Sequence, residues 1–244
     1  MQEVICMKWG TRYASEYVNK IYGMVMRNTN RPTRLTCFTD DTTGIRPEVN
    51  CLPLPEIELR EDIAWTPWRK LALWQKDLGG LSGDVLFLDL DLIITGNIDC
   101  FFDFHPGKYC VIENWTQMGQ NIGNTSAFRF PVGKYTHIYD ELKTRQDEIV
   151  KKYVIEQIYI SREIDEMYFW PAEWCVSFKH SLLPKWPMNF FKVAQLRPEN
   201  RVIAFTGKPD PDEAAIGVWP VKSLIKKIYK HVLPTPWINE HWRE

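Results

Sequence analysis

The sequence predicts an α/β fold, a mixed and mostly parallel sheet flanked by helices. Two observations carry this. Ahead of residue 95, short apolar runs alternate with segments of helical spacing, the order that builds strand–helix–strand units. The run from Val85 to Ile94 is apolar almost throughout, as expected of a strand covered on both faces. The 244 residues amount to one large domain with a sizeable core.

The elements follow in order. Val4 to Lys8 reads as a short apolar strand. Tyr13 to Arg27 has helical spacing, with Tyr17, Ile21, Met24 and Val25 on one face. Thr33 to Phe38 forms a second strand, ended by Thr39-Asp40-Asp41, and Cys51 to Leu54 a third, punctuated by Pro53 and Pro55. Trp68 to Leu78 is a helix: Pro67 starts it, Leu71, Trp74 and Leu78 face inward, and Gly79-Gly80 stop it. The Val85–Ile94 strand comes next. Beyond residue 100 the pattern loosens into a strand at Tyr109–Glu113, a polar helix at Tyr135–Tyr153 and an aromatic, loop-rich stretch at Trp170–Pro187. No repeat, linker or low-complexity segment interrupts residues 1–244, which read as a single domain.

Asp89-Leu90-Asp91 is the sharpest chemical signal. Residues two apart on a strand share a face, so two carboxylates emerge together where burial of uncompensated charge costs several kcal/mol. A hard divalent cation, Mg²⁺ or Mn²⁺, resolves this, and such ions are commonly shared with substrate phosphates. In a parallel sheet, ligands lie beyond the carboxyl ends of the strands. Asp89 and Asp91 stand at one such end and Thr39-Asp40 at another.

A net charge of −1 gives no electrostatic footprint for nucleic acid. Six scattered cysteines without a CxxC pair argue against a zinc site or a disulfide framework. The start lacks the apolar core of a secretory leader, and no run reaches the roughly 20 apolar residues of a membrane span, so a cytoplasmic setting is expected. Eleven Trp lean toward carbohydrate, although aromatic core filling accounts for most such residues. Val221 to Val232 reads as a basic amphipathic helix, with Leu224, Ile225 and Ile228 on one face and Lys222, Lys226, Lys227 and Lys230 elsewhere, followed by Trp237 and Trp242. It either docks on its own domain or lies on the inner face of an anionic membrane.

Several segments in order resemble the GT-A class of nucleotide-sugar glycosyltransferases, and within it the retaining, family-8-like enzymes. Arg69-Lys70-Leu71 precedes Phe87-Leu88-Asp89-Leu90-Asp91, and Thr95-Gly96-Asn97-Ile98 follows. Asn124-Thr125-Ser126 resembles the family's Asn-Ala-Gly, Glu156-Gln157-Ile158 its Asp-Gln-Asp, Ala204 to Pro209 its late His-containing Gly-…-Lys-Pro segment, and Arg12-Tyr13 its early Asn-Tyr. The resemblance implies a Rossmann-like GT-A fold. It also implies transfer of a hexose or N-acetylhexosamine from a nucleoside diphosphate, UDP, to a glycan or lipid-linked acceptor, with retention. The metal, Mn²⁺ or Mg²⁺, would be held by Asp89 and Asp91. The donor would meet Tyr13, Asp40, Lys70, Asp89, Asn124, Gly207 and Lys208. Gln157 would take the catalytic amide position against the sugar, with Glu156 orienting it or serving as a base. Each has a plainer reading: Lys70 on a solvated helix face, Tyr13 in the core, Asp40 in a turn.

Two departures stand out. The family's late metal-binding His is replaced by Ala204, or by Thr206 with a small shift, which implies weaker metal binding, reliance on water, or recruitment of Asp210 or Asp212. The second acid of Asp-Gln-Asp is Ile158. A haloacid-dehalogenase-type phosphatase and a non-catalytic carbohydrate-binding protein on the same fold are the competing readings.

Overall fold

The computed structural model describes residues 1–244 other than Lys222, and their side chains other than those of Leu224 and Lys227. In chain order the elements begin with β1 (Gln2–Lys8), α1 (Ser15–Arg27), β2 (Thr33–Thr39), β3 (Asn50–Pro53), a 3-10 helix (Pro67–Trp74), β4 (Asp84–Leu88) and β5 (Leu92–Ile94). Then follow α2 (Asp99–Asp103), β6 (Tyr109–Glu113), β7 (Gly123–Pro131), α3 (His137–Tyr153), α4 (Glu156–Glu163) and β8 (Met167–Phe169). The remainder holds β9 (Cys175–Ser177), β10 (Val202–Ala204), α5 (Pro211–Ala215), α6 (Leu224–Lys227) and α7 (Trp237–His241). The chain divides into two compact units: Met1–Val18, Arg31–Leu90 and Asp99–Trp170 form the first, and Asn19–Asn30, Asp91–Ile98 and Pro171–Glu244 the second.

The first unit is built on a seven-stranded sheet in the order β3-β2-β1-β4-β7-β6-β8. β1, β2, β3 and β4 run parallel; β7 lies antiparallel to both β4 and β6, and β8 is parallel to β6. The sheet is therefore mixed and mostly parallel, as the alternation of runs implies. Its core gathers Ile5, Phe38, Leu71, Trp74, Phe87 and Phe128. Trp74 is almost wholly enclosed, with its ring 5.8 Å from Phe128 and 4.7 Å from Phe130. Arg129 on β7 is fully buried; its guanidinium donates to the carbonyl oxygens of Phe101, Phe102, His105 and Lys108, which ties the α2–β6 connection to the sheet. In parallel register, β1, β2 and β3 set Cys6 beside Cys37 and Cys37 beside Cys51.

The second unit carries a three-stranded sheet in the order β5-β10-β9. Past β5 the Thr95 N–H and hydroxyl donate to the carbonyl oxygens of Arg201 (2.8 Å) and Asn200 (3.0 Å). A Cβ on Gly96 would meet the Asn200 oxygen at 3.1 Å, so this close approach of backbones favours glycine. The Arg27 guanidinium donates to the carbonyl oxygens of His241, Arg243 and Glu244 and fastens the last turn of the chain to α1.

Three sequence expectations are corrected. Val85–Ile94 is not one strand: β4 and β5 belong to different sheets, and Asp89-Leu90-Asp91 forms the turn between them. The two carboxylates therefore do not share a strand face. The chain leaves the sheet where charged side chains would otherwise be enclosed on both faces. The helix expected over Trp68–Leu78 is a 3-10 helix ending at Trp74, although Leu71, Trp74 and Leu78 are all buried as predicted. The helix expected over Val221–Val232 is the single turn α6. Of the residues placed on it, Lys222 lies outside the described residues, as do the side chains of Leu224 and Lys227. The Asn189 side-chain amide donates to the carbonyl oxygens of Tyr229 (3.0 Å) and His231 (2.9 Å) and holds the chain past α6 in its non-helical course.

Candidate donor and catalytic site

Lys70 sits in the 3-10 helix with its side chain only 6% exposed. Its ammonium lies 2.6 Å from Asp89 Oδ1 and donates to the Thr125 carbonyl oxygen at 3.1 Å. It also lies 5.1 Å from the centre of the Phe87 ring. Asp89 follows the last residue of β4, and its N–H donates to the Ser126 carbonyl oxygen at 2.8 Å. β4 and β7 are thus held together one residue past the strand end.

β7 then alternates with period two. Asn124 and Ser126 are half-buried, whereas Thr125 and Ala127 are buried. On the half-buried side, Asn124 Oδ1 accepts the Ser126 N–H at 3.1 Å. On the buried side, the Thr125 hydroxyl donates to Glu156 Oε1 at 2.8 Å. Glu156 is the first residue of α4 and is buried, where the positive end of the helix dipole favours a carboxylate. A second stitch joins the same elements: the Gly123 N–H donates to Ser161 Oγ, which in turn donates to the Gln157 carbonyl oxygen at 2.6 Å. Gln157 itself is half-buried beside Glu156.

The structure therefore brings together Lys70, Asp89, Asn124 and Glu156 in one hydrogen-bonded chain, with Gln157 adjoining. The Lys70 ammonium pairs with the Asp89 carboxylate, and Glu156 joins the group through the Thr125 hydroxyl. Thr125, which links the chain, escaped the sequence reading. The polar–small alternation of Asn124-Thr125-Ser126-Ala127 was the signal that could have placed it on a strand.

The parallel pairing of β1, β2 and β4 puts the residues that follow each of them at one edge of the sheet. Asp40 follows β2 there, and its Oδ2 accepts the Gly10 N–H at 2.9 Å, tying together the chain past β1 and β2. Tyr13 lies just ahead of α1, with its ring 4.8 Å from Tyr17 and the Arg12 guanidinium 5.0 Å above it.

The remaining predicted residues belong to the second unit. Asp91 is half-buried and immediately precedes β5, and Leu92 of β5 pairs with Ala204 of β10. The position matched to the family's His is thus one register step from Asp91 and is apolar. Gly207 adopts a left-handed backbone with φ +70° and has open space around it. Lys208 is held by Asp210 Oδ2 (2.7 Å) and Glu213 Oε1 (2.6 Å), the two acids that also cap α5. Thr206 Oγ1 and Asp210 Oδ1 are buried without a hydrogen-bond partner. Among the described residues, no three His, Cys, Asp or Glu side chains gather closely enough to hold a metal ion alone.

No family model and no curated protein sequence matches the chain. Solved structures do. The galactosyltransferase LgtC, in complex with donor and acceptor sugar analogues, aligns at TM-score 0.59 and 13% identity, over 86% of this chain and 89% of its own. The fold is that of the GT-A glycosyltransferases. A second LgtC structure, with an active-site glutamine changed to glutamate, aligns at TM-score 0.59 and 12% identity over the same shares, 86% and 89%. GlyE of Streptococcus pneumoniae TIGR4 aligns at 0.54 and 14% identity, over 86% of this chain and 56% of that one. In this chain the turn between β4 and β5 carries Asp89-Leu90-Asp91, β7 carries Asn124, and α4 opens with Glu156-Gln157.

Proposed function

We propose that this chain is a metal-dependent glycosyltransferase. It moves a hexose or N-acetylhexosamine from a UDP-sugar to a glycan or lipid-linked acceptor with retention of configuration. The observation that carries the reading is the chain Lys70–Asp89–Thr125–Glu156, assembled at the carboxyl edge of a GT-A sheet. The donor and acceptor sugar analogues bound by LgtC support a donor and acceptor of that class here.

The donor set fits a hard divalent cation. Mg²⁺ and Mn²⁺ are commonly bound by one or two carboxylates, with substrate phosphates completing the shell, and Asp89 and Asp91 supply two. When bound, the cation neutralises charge on the leaving diphosphate. Lys70 adds a fixed positive charge beside Asp89. Tyr13 and Asp40 serve the base, and Gly207 and Lys208 the diphosphate, with Lys208 exchanging Asp210 and Glu213 for the donor.

Asn124 and Gln157 face the sugar as amides. The active-site glutamine of LgtC supports this role for Gln157. An amide cannot accept the acceptor's proton, so the leaving phosphate takes it on the face from which it departs. Glu156, held by Thr125, orients Gln157. Loss of the late His and the pairing of Lys208 within its own loop favour one second reading, a non-catalytic sugar-binding protein.

Thermal unfolding with UDP-, GDP- and CMP-sugars, with and without Mn²⁺, tests the donor. A ligand at a hundred times its Kd adds about 2.7 kcal/mol. UDP-sugars should stabilise the protein only with Mn²⁺, and Asp89→Ala or Asp91→Ala should abolish the shift. Preference for GDP- or CMP-sugars refutes the donor. Slow Mn²⁺-dependent cleavage of the nucleotide-sugar separates a transferase from a binding protein, and phosphate release from monoesters marks a phosphatase.

A further inference from the structure

The acidic residues of the second unit are unevenly distributed. From Trp174 to Pro198 and from Ala214 to Asn239 the chain has no Asp or Glu, yet these stretches carry Lys179, Lys185, Lys192, Arg197, Lys226 and Lys230. The structure joins them. The Asn189 amide donates to the carbonyl oxygens of Tyr229 and His231, and the Phe190 ring stacks on His231 at 4.3 Å and 4°. Burial and the neighbouring Lys230 ammonium both hold Lys179 below the usual lysine range, so the two stretches bring cationic groups close together here.

Large apolar side chains flank the same joint. Phe191 is 75% exposed, Ile225 73% and Ile228 64%, with Trp186 and Met188 also exposed. Their exposure is not a consequence of a loose tail, since Val232, Ile238 and Trp242 in the same region are buried. A soluble polyanion would satisfy the lysines and leave these side chains in water. Apolar groups that enter an acyl boundary, ringed by cations that meet headgroups, are the pattern of interfacial binding.

We infer that the surface formed by residues 185–192, Ile225, Lys226 and residues 228–230 docks on an anionic lipid bilayer, with Phe191, Ile225 and Ile228 entering the headgroup–acyl boundary. Among the described residues no helix is long and apolar enough to cross a membrane, and this contact is peripheral. It stands independently of the transferase reading, because the assay measures binding alone.

The full chain is sedimented with vesicles of phosphatidylcholine, or of phosphatidylcholine with one-third phosphatidylglycerol. It should bind only the anionic vesicles and be released as salt rises. Phe191→Ser and Ile225→Ser should each weaken binding about tenfold. Lys192→Glu with Lys226→Glu should abolish it. The melting temperatures of these variants should stay unchanged, since every altered side chain is exposed. Three outcomes overturn the inference: equal binding to both vesicle types, no binding to either, or binding that the apolar substitutions leave intact.

Discussion

The ammonium of Lys70 lies 2.6 Å from Asp89 Oδ1 and also donates to the Thr125 carbonyl oxygen, so one side chain clamps the end of β4 to β7. Lys70 is nearly enclosed and Asp89 is 22% exposed. The pair is therefore less screened than a surface ion pair, and each partner is costly to leave alone.

Lys70→Met should destabilise the protein by about 2–4 kcal/mol, and Asp89→Asn by about 1–2 kcal/mol. The double variant should cost less than the sum by about 1–2 kcal/mol. Urea unfolding of the four proteins checks this; simple additivity would mean that the two side chains do not interact.

The Thr125 hydroxyl is the only feature that Thr125→Val removes, and the carboxylate it serves is buried. That change should cost about 1–2 kcal/mol, whereas Thr125→Ser should cost less. Turnover should fall with Thr125→Val and recover in part with Thr125→Ser. A stable, fully active Thr125→Val protein would show that Glu156 needs no such partner.

Gln157→Ala should lower kcat more than it raises KM, because help given only in the transition state appears in turnover. The first-formed product, read by NMR, should keep the donor's anomeric configuration. A β-linked product from an α-linked donor would move the catalytic role to Glu156 acting as a base.

Two histidines set the acid response. Burial first, and the Lys179 charge second, lower the pKa of His180; burial likewise leads for His241. The unfolded chain therefore binds more protons than the folded one as pH falls below about 6.5. Stability from both groups is fully present at neutral pH and is lost as pH drops through the folded pKa values. Melting temperature should decline as pH falls below about 6.5, above the range in which the depressed carboxylates Asp62 and Asp103 titrate. His241→Gln should flatten part of that decline. A flat profile in the parent protein would contradict it.

Much of this was legible from local pattern. β6 occupies the residues its apolar run indicates, and β1 and β2 differ only at their ends. Leu71, Trp74 and Leu78 face inward despite the tighter helix. The break at Asp89–Asp91 was not legible, because Leu92, Ile93 and Ile94 are as deeply buried as Val85 to Leu88. Apolarity continues across the turn while the hydrogen-bonding partners change from β1 and β7 to β10. Periodicity reports burial, not which sheet supplies it. Lys70, Asp89, Asn124 and Glu156 were found by motif order. The hydroxyl of Thr125 was missed because its role depends on a helix 31 residues further along the chain.

The row of Cys6, Cys37 and Cys51 across β1, β2 and β3 supplies a clock for this sheet. Cys6 and Cys37 are sealed from solvent, while Cys51 on β3 is partly open. A contact with Cys37 and burial raise the Cys6 thiol well above its usual range. In the native protein an alkylating reagent reaches Cys51 ahead of its row neighbours, and Cys6 and Cys37 only when β3 peels away or the strands part. The lag between modification of Cys51 and that of Cys6 and Cys37, read residue by residue because Cys100 is also partly open, measures how often the parallel half of the sheet opens. It needs no engineered probe, and binding of a donor at the far ends of the same strands would lengthen it.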